Sequence, residues 1–231
     1  MVYKTLSEIK TKIKNDLDLI DEQFITASEL LGYINEAIDD VESEIHTIYE
    51  DYFLTSANIA LVSGTSDYAL PSNIFANKIR GVVYSNGSRI YPIRKMQSST
   101  QFEEMALINQ YVSGTEEYQY KLVNSSAATG IRMRLFPTPQ ETSSTAVTVW
   151  YIRNANTLSA DTDPCDVPEF INYVYQFVKV RCYEKEIHPN LAQATVERDR
   201  LKNLMQETLR DMIPDNDSQI EYDLSVYEDM S

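Results

Sequence analysis

The side chains best suited to catalysis in this sequence are its two histidines, His46 and His188. A possible nucleophile precedes each one: Ser43 lies three residues before His46, and Cys182 lies six residues before His188. A histidine base that activates a serine or a cysteine is the arrangement used for acyl transfer and hydrolysis. Neither pair belongs to a recognised catalytic signature. A structural or surface role is therefore expected for both histidines.

Carboxylates are the second group with possible chemistry, because the chain has 35 acidic and 20 basic residues. Neighbouring pairs such as Asp39–Asp40 and Glu103–Glu104 have the composition of a general acid and base. In so acidic a chain such pairs arise by chance, and no single pair can be assigned that role. Another cluster lacks the central glycine and terminal glutamate of a calcium-binding loop. It consists of Asp161, Asp163 and Asp166.

Motifs for cofactors and metals are missing from the sequence. The six glycines form no phosphate-binding loop, and Cys165 and Cys182 have neither metal-ligand nor disulfide-framework spacing. The sequence thus predicts a protein that is not an enzyme and holds no metal or cofactor. The cysteine usage also indicates a reducing compartment during folding. An apolar run of about eighteen residues and a secretory signal are both missing, so no membrane association is expected.

The net charge of −15 is distributed unevenly along the chain. No lysine or arginine occurs between residues 15 and 77 or after Arg210, whereas basic residues recur between residues 78 and 153. A protein that grips nucleic-acid phosphates should be basic, so tight DNA binding is not expected. The segregation indicates faces that meet different partners, and a solvated acidic surface is the plainer alternative.

Both ends of the chain have helical periodicity. Residues 5–17 carry apolar side chains at helical spacing, and a second helix begins at an N-cap supplied by Thr26 or Ser28. Its apolar stripe runs over roughly six turns: Leu30, Ile34, Ala37 or Ile38, Val41, Ile45, Ile48 and Tyr52. The opposite face is almost entirely acidic, so burial of the stripe must stabilise this helix. Two further helices are predicted over residues 168–187 and 191–212.

Between residues 55 and 153 the apolar period shortens and turn residues recur, which predicts strands. The predicted strands cover residues 56–62, 78–84, 118–123, 131–136 and 145–152. Asn86–Gly87 is a strong hairpin signal, and residues 96–110 are predicted to form a short inserted helix. In the last strand, one predicted face holds Ala146, Thr148 and Trp150, and the other holds Val147, Val149 and Tyr151.

Tyrosine is frequent, with 16 residues concentrated in the β segment, the third helix and the C-terminal tail. A tyrosine side chain combines a large apolar area with a hydroxyl group, which suits contacts between subunits. Ordinary half-buried tyrosines are the alternative interpretation.

These elements predict an α+β fold that is mainly an α-helical bundle, with an inserted antiparallel β segment and an extended C-terminal tail. The long N-terminal helices are assigned to residues 1–54 and the β insert with its short helix to residues 55–153. The linker and the long C-terminal helices take residues 154–213, and an acidic tail takes residues 214–231. Apolar residues are spaced among the acids of that tail: Ile220, Tyr222, Leu224 and Tyr227.

A family resemblance is carried by seven stretches in their order along the chain. They are LGYINEAIDDVESE (residues 31–44), SGTSDYALP (63–71), KIRGVVYSNGSRIYPI (78–93), RLFPTP (134–139), WYI (150–152), LSADTDP (158–164) and VPEF (167–170). Through them the chain resembles the head-to-tail adaptor, or connector, proteins of tailed bacteriophages. SGTSDYALP is similar to the Gly-x-x-x-Tyr-x-Leu-Pro turn of that family, and LSADTDP to its linker into the third helix. The resemblance covers nearly the whole chain.

The resemblance implies a ring, typically of twelve copies, beneath the portal of the capsid. Such a ring lengthens the DNA channel and offers a platform for tail or nozzle proteins, in a virion neck assembled in the host cytoplasm. The C-terminal tail would dock on the portal protein through Ile220, Tyr222, Leu224 and Tyr227. DNA would pass without specific binding, because carboxylates lining the channel repel phosphates. The lining expected is the second helix with Glu36, Asp39, Asp40 and Glu44, or the fourth helix with Glu197 and Glu207.

Three other functions remain open at the level of sequence. Another neck or tail-completion subunit of a phage would share the same assembly logic. A non-viral helical interaction module would ignore a portal protein and form no ring. A hydrolase with a carboxylate pair would act on cell-wall polysaccharide and give a signal in a peptidoglycan assay.

Overall fold

The computed structural model describes residues 3–17, 24–96, 118–126 and 130–213. Its chain contacts define two compact units. The first, called the helical unit here, comprises Met1–Tyr49 and Thr157–Ser231, and the second, called the β unit, comprises Glu50–Asn156. The predicted helix over residues 96–110 and the predicted tail over residues 214–231 lie outside the described residues, apart from Met96.

The helical unit contains four described helices. They are α1 (Leu6–Leu17), α2 (Ala27–Ile48), α3 (Ile171–Glu186) and α4 (Leu191–Asp211). A short 3₁₀ turn, Pro168–Phe170, leads into α3. Helix α3 packs against the other three helices, so its buried side chains do not form a single stripe. They are Tyr173, Val174, Val178, Val180 and Cys182.

Helix α2 begins where the sequence predicts a cap. The Thr26 hydroxyl accepts a hydrogen bond from the Glu29 backbone N–H at 3.2 Å, and the Glu29 carboxylate accepts one from the Thr26 N–H at 2.9 Å. This capping box satisfies two N–H groups that the helix itself leaves without partners. The predicted apolar stripe is buried over most of its length, at Leu30, Ile34, Ala37, Ile38, Val41 and Ile45.

The β unit begins with a 3₁₀ turn, Glu50–Phe53, and contains eight described strands. In chain order they are β1 (Leu54–Leu61), β2 (Asp67–Ala69), β3 (Ile74–Ser85), β4 (Ile90–Pro92), β5 (Arg94–Lys95), β6 (Gln119–Ser126), β7 (Gly130–Phe136) and β8 (Ser143–Arg153). They form two four-stranded sheets, in the orders β1-β8-β3-β4 and β2-β7-β6-β5. All pairs are antiparallel except β5 with β6. The hairpin predicted at Asn86–Gly87 is confirmed, since Ser85 pairs with Ile90.

One apolar core joins the two sheets of the β unit. Val147 and Val149 of β8 are buried in it together with Met133 and Leu135 of β7, while Trp150 on the opposite face of β8 is 38% exposed. The predicted alternation of faces is confirmed from Val147 to Tyr151, whereas Ala146, which the sequence predicts on the face of Trp150, is buried in the same core as Val147. Five tyrosines are buried in this core: Tyr68, Tyr84, Tyr118, Tyr120 and Tyr151. These tyrosines stabilise the fold of the unit itself.

The predicted mainly α-helical bundle is wrong. The structure is an α+β fold in which the β segment forms two sheets and a core of its own. The error has a physical origin, because β2 and β5 are only three and two residues long and pair with strands remote in sequence. Within the described residues, no helix combines the length and apolarity needed to cross a membrane.

Candidate functional site

The corner between α3 and α4 contains one of the two pairs of histidine and possible nucleophile. Burial raises the pKa of the Cys182 thiol to about 12, so this thiol stays protonated at neutral pH. His188 Nδ1 accepts a hydrogen bond from the Asn190 backbone N–H at 3.1 Å, and its ring stacks on Tyr183 with 4.0 Å between ring centroids. His188 therefore stabilises the helix corner.

The same corner ends α3 in a Schellman motif. The His188 N–H donates to the Tyr183 carbonyl at 3.0 Å, and the Ile187 N–H donates to the Glu184 carbonyl at 3.3 Å. Ile187 has the left-handed backbone angles φ 54° and ψ 42°, at a position where glycine is the usual residue. Its side chain is 88% exposed. No prediction from the sequence concerns this residue, although an isoleucine directly before His-Pro-Asn at a helix end is a visible signal.

The other histidine lies on α2, where Nε2 of His46 is 3.1 Å from Oε1 of Glu42, one helical turn earlier. Ser43, the possible nucleophile of this pair, is exposed. In the part of the chain that the structure describes, no group of three or more His, Cys, Asp and Glu side chains could hold a metal ion.

The aspartates considered as calcium ligands organise a loop instead. The Asp163 carboxylate accepts hydrogen bonds from the backbone N–H groups of Ser159 and Ala160 at 2.8 and 2.7 Å, which lowers the pKa of Asp163. The carbonyl groups of Asp163 and Asp161 accept from the first N–H groups of α1, those of Leu6 and Ser7, at 2.9 and 3.0 Å. The LSADTDP stretch thus caps helix α1.

Asn35 fixes the same loop from helix α2. Its side-chain amide donates to the Leu158 carbonyl at 3.0 Å and accepts from the Leu158 N–H at 2.9 Å. Leu158 is 1% exposed, so its backbone groups have little access to water. Two stretches of the family resemblance, INEA and LSADTDP, are therefore one structural feature. A polar residue next to the apolar stripe of α2 is the only sequence signal for this contact.

SGTSDYALP carries the chain from the first sheet of the β unit to the second. Gly64, with φ 77°, forms the turn after β1, and its N–H donates to the Pro139 carbonyl at 2.8 Å. Tyr68 is 5% exposed, and its hydroxyl donates to the Thr65 carbonyl at 2.7 Å. The tyrosine and glycine of this turn thus stabilise a crossing between the two sheets.

An ion pair joins SGTSDYALP to the RLFPTP stretch. Nε and Nη2 of Arg134 donate to the two carboxylate oxygens of Asp67 at 2.5 and 2.6 Å. These hydrogen bonds lower the pKa of Asp67. A bidentate pair of this kind fixes geometry as well as charge, so it sets the position of β2 on β7. One pair of the stretches that carry the resemblance is therefore in contact in each unit.

Models of known protein families give an independent comparison. The family model described as SU10 adaptor protein matches residues 4–223. The chain belongs to the SU10 adaptor protein family. It is thus a bacteriophage adaptor structural protein of the virion neck, a class that interacts with portal and tail proteins. The comparison with curated proteins finds no match.

As a member of an adaptor family, the chain needs surfaces for partners, and the acidic face of α2 is the first one to consider. Four of its carboxylates, called the α2 acidic stripe here, are directed toward α3 and α4: Glu29, Glu36, Asp40 and Glu44. Arg181 pairs with Glu36, and Lys202 lies 3.1 Å from Asp40 and 3.0 Å from Glu44. Asp40 also accepts a hydrogen bond from the buried Tyr173 hydroxyl, and burial followed by this contact raises the pKa of Tyr173.

Glu29 lies at the N-terminal end of the α2 acidic stripe and pairs with a lysine of α3. Lys185 Nζ lies 2.7 Å from Glu29 Oε1 and also donates to the Phe24 carbonyl at 2.5 Å. The hydrogen bond from Lys185, followed by those from Thr26, lowers the pKa of Glu29 to about 2. The stripe therefore holds three helices of one unit together.

The acids predicted to line the DNA channel differ in whether the structure pairs them with a cation. Of the four acids expected to line a channel, Glu36, Asp40 and Glu44 lie in these ion pairs, whereas Asp39 is exposed. On α4, Glu197 pairs with Arg200 at 2.7 Å, and Glu207 is exposed. The portal-docking residues of the tail lie outside the described residues: Ile220, Tyr222, Leu224 and Tyr227. Their role and the channel lining stay predictions.

Proposed function

We propose that copies of this chain form a ring, with twelve subunits as the expected number, that binds the portal protein beneath the capsid. The ring extends the DNA channel and presents a platform to tail or nozzle proteins. The observation that carries the proposal is the match to the SU10 adaptor family over residues 4–223, which spans both units. The role is structural rather than enzymatic and requires no cofactor, and the chain assembles in the host cytoplasm.

The distribution of charge supports passage of DNA without binding. Residues 50–156 carry nine basic and eight acidic side chains, whereas the remaining residues carry 11 basic and 27 acidic ones. The helices and the C-terminal segment are therefore the source of the negative charge. A channel lined by that part of the chain repels phosphates, and it lacks the excess of cations on which tight DNA binding depends. Asp39 of α2 and Glu207 of α4, which are both exposed, would contribute to such a lining.

The C-terminal segment is the proposed portal-docking element. Residues 214–231 contain six acidic side chains and no basic one, with Ile220, Tyr222, Leu224 and Tyr227 spaced among them. A segment of this composition can order on a partner, because the apolar residues supply contact area that it cannot bury alone.

Electron microscopy of the purified full-length chain, alone and after addition of the portal protein, tests the proposal. We expect rings in at least one of the two samples and co-sedimentation of the chain with portal. A chain that stays monomeric and does not bind portal would overturn the adaptor proposal. Rings that bind a tail protein but never the portal would instead favour a tail-completion subunit.

Deletion of residues 214–231 tests the docking role separately. We expect portal binding to be lost while the thermal unfolding of the two described units stays unchanged. Replacement of the six acidic residues of the segment by their amides is the matched control for charge. Unchanged portal binding by the truncated chain would remove the docking role and leave the ring proposal standing.

A further inference from the structure

In the part of the chain that the structure describes, the two sheets of the β unit have four edge strands, and three of them are short. Edge strands β2 and β4 have three residues each, and β5 has two. They also carry the residues that proteins use against unwanted pairing: an aspartate in β2, a proline at the end of β4, and an arginine and lysine in β5. These three edges are therefore protected.

Strand β1 is the exception. It has eight residues, LTSANIAL, with no charge and no proline. Among the described residues it pairs only with β8, so its other edge presents unpaired N–H and C=O groups. Its outward side chains are exposed and neutral: Leu54, Ser56, Asn58 and Ala60. A long, uncharged open edge is a template for an added strand.

The side of β1 that faces the core is also incomplete. Ile59 and Leu61 are buried, but Thr55 and Ala57 are only half-buried. Ala57 packs at the margin of the core that joins the two sheets. An added strand with apolar side chains on this side would extend the core over Thr55 and Ala57, and main-chain hydrogen bonds would complete the edge.

A segment of this chain has the sequence that such an edge requires. Residues 220–226 read IEYDLSV, a strict alternation of apolar and polar side chains over seven positions. This period of two is that of a half-buried strand. One side would hold Ile220, Tyr222, Leu224 and Val226, and the other Glu221, Asp223 and Ser225. The neutral outward side of β1 offers no carboxylate to repel these acids.

We propose that, before portal contact, residues 220–226 of a neighbouring copy add a strand to the open edge of β1. Their apolar side extends the core of the β unit, and their acidic side lies beside Ser56 and Asn58. The choice of a neighbouring copy rests on the proposed ring, which brings identical chains side by side. Portal docking uses the same segment, so the portal and β1 compete for it.

Hydrogen–deuterium exchange of the full-length chain tests the pairing. In an open edge strand, alternate amides face solvent and exchange fast, whereas an added strand protects all of them. We expect uniformly slow exchange over Leu54–Leu61. Tyr222→Pro should make the alternate amides exchange on the order of tenfold faster, because proline removes an N–H donor and disrupts the added strand. Ser218→Pro, outside the alternation, is the control and should leave β1 protected.

Substitutions that change the charge at residue 58 test the β1 side of the pairing. Asn58→Glu places a carboxylate beside the acidic side of the added strand, so we expect β1 to lose protection, whereas Asn58→Gln should keep it. Addition of Asp223→Lys to the Asn58→Glu chain should restore protection. The Asn58 side chain is exposed, and its amide oxygen accepts a hydrogen bond from the Thr148 hydroxyl at 3.0 Å. The oxygens of glutamate and glutamine can also accept from Thr148, so the chain should still fold, and thermal unfolding of each variant checks this. Fast exchange of β1 in the wild-type chain, or no effect of Tyr222→Pro and Asn58→Glu, would overturn the pairing.

Dilution tests whether the added strand comes from a neighbouring copy or from the same chain. We expect the protection of β1 to fall as the protein is diluted and to disappear once portal is added in excess. Protection that persists after dilution to a monomer, verified by sedimentation, would place the added strand within one chain and overturn the assignment to a neighbour. Rings whose β1 exchanges as an open edge would refute the added strand and leave the proposed adaptor function intact.

Discussion

Ile187 is unfavourable at its position by two independent measures, its left-handed backbone and its 88% exposed apolar side chain. For a residue with a Cβ atom, the left-handed conformation costs roughly 1–2 kcal/mol. Ile187→Gly should therefore raise the free energy of unfolding by about 1 kcal/mol, after the greater entropy of glycine in the unfolded chain is subtracted. Urea denaturation measures this change.

The control for Ile187 is Val196→Gly, a second exposed β-branched residue that lies within α4. There the same replacement should lower stability by about 0.3–0.5 kcal/mol, because glycine forms helices less well than valine does. Opposite signs at the two positions would confirm strain at residue 187. A loss of stability in Ile187→Gly would show that the isoleucine side chain makes contacts that outweigh the strain.

The Asn35 side chain stabilises the fold through its two hydrogen bonds to the backbone of Leu158. Asn35→Ala removes both hydrogen bonds to Leu158 and leaves a buried N–H and a buried C=O without partners. We expect a loss of about 2–4 kcal/mol in the free energy of unfolding. Ser43→Ala, at an exposed position of the same helix, should change it by less than about 0.5 kcal/mol. Equal effects of the two substitutions would contradict the role of Asn35.

Residues of this kind are the least predictable from sequence. Asn35 binds the backbone of Leu158, and Tyr68 binds the backbone of Thr65, so neither contact depends on the side-chain type of the partner. The sequence around Leu158 and Thr65 therefore holds no pattern from which these two contacts could be predicted. Resemblance to a family identifies such residues, because the same residue types recur at these positions. Only the structure explains which contacts require those residue types.

At the scale of elements, the α2 acidic stripe predicts a pH dependence. The pKa of Glu29 is about 2 in the folded chain against an ordinary value of 4.5, so its carboxylate binds protons more readily when unfolded. The stabilisation by Glu29 is complete above about pH 4.5 and declines as pH falls toward 2. Glu29→Gln keeps the capping geometry and removes the charge. The difference in melting temperature between wild type and Glu29→Gln should therefore shrink between pH 5 and pH 2.

The matched control is Asp39→Asn, which removes an exposed carboxylate from the same helix. Its melting temperature should follow that of the wild type across this pH range, because among the described contacts Asp39 has no ion pair. Thermal unfolding followed by circular dichroism measures all three chains. A constant difference between wild type and Glu29→Gln down to pH 2 would contradict a lowered pKa of Glu29.

Elements with a strong local period were predictable, and those defined by remote pairing were not. The stripe from Leu30 to Ile45 and the alternation in β8 each report burial directly, because a helix or a strand repeats its buried face at a fixed spacing. Strand β2 has three residues and exists because Arg134 and Met133 of β7 lie beside it. That pairing has no local signal, so the sequence does not indicate the second sheet, and the prediction of a mainly helical bundle is wrong.

The same limit applies to the acidic face of α2. Its charge pattern identifies an acidic helix, but the sequence does not show that Arg181, Lys185 and Lys202 of α3 and α4 face it. A carboxylate paired with a cation repels a passing phosphate less than a free one does. The exposed Asp39 is therefore a better candidate for a channel lining than its three paired neighbours.

At the scale of the whole molecule, the family match and the distribution of charge both bear on the adaptor role. The family match covers both units, and the negative charge lies outside the β unit. A neck protein must hold its neighbours firmly while DNA passes without adhering. In the proposed function the acidic helical unit would meet the second requirement, and in the proposed pairing the β1 edge with the alternating segment 220–226 would meet the first.

A side-chain-resolution reconstruction of the virion neck tests the central claim most directly. We expect copies of this chain in a ring between the portal and the tail, with residues 214–231 of each copy against the portal protein. The acidic helices should face the channel without contacts to DNA bases or phosphates. A neck in which this chain is absent between the portal and the tail, or contacts tail proteins alone, would contradict the account.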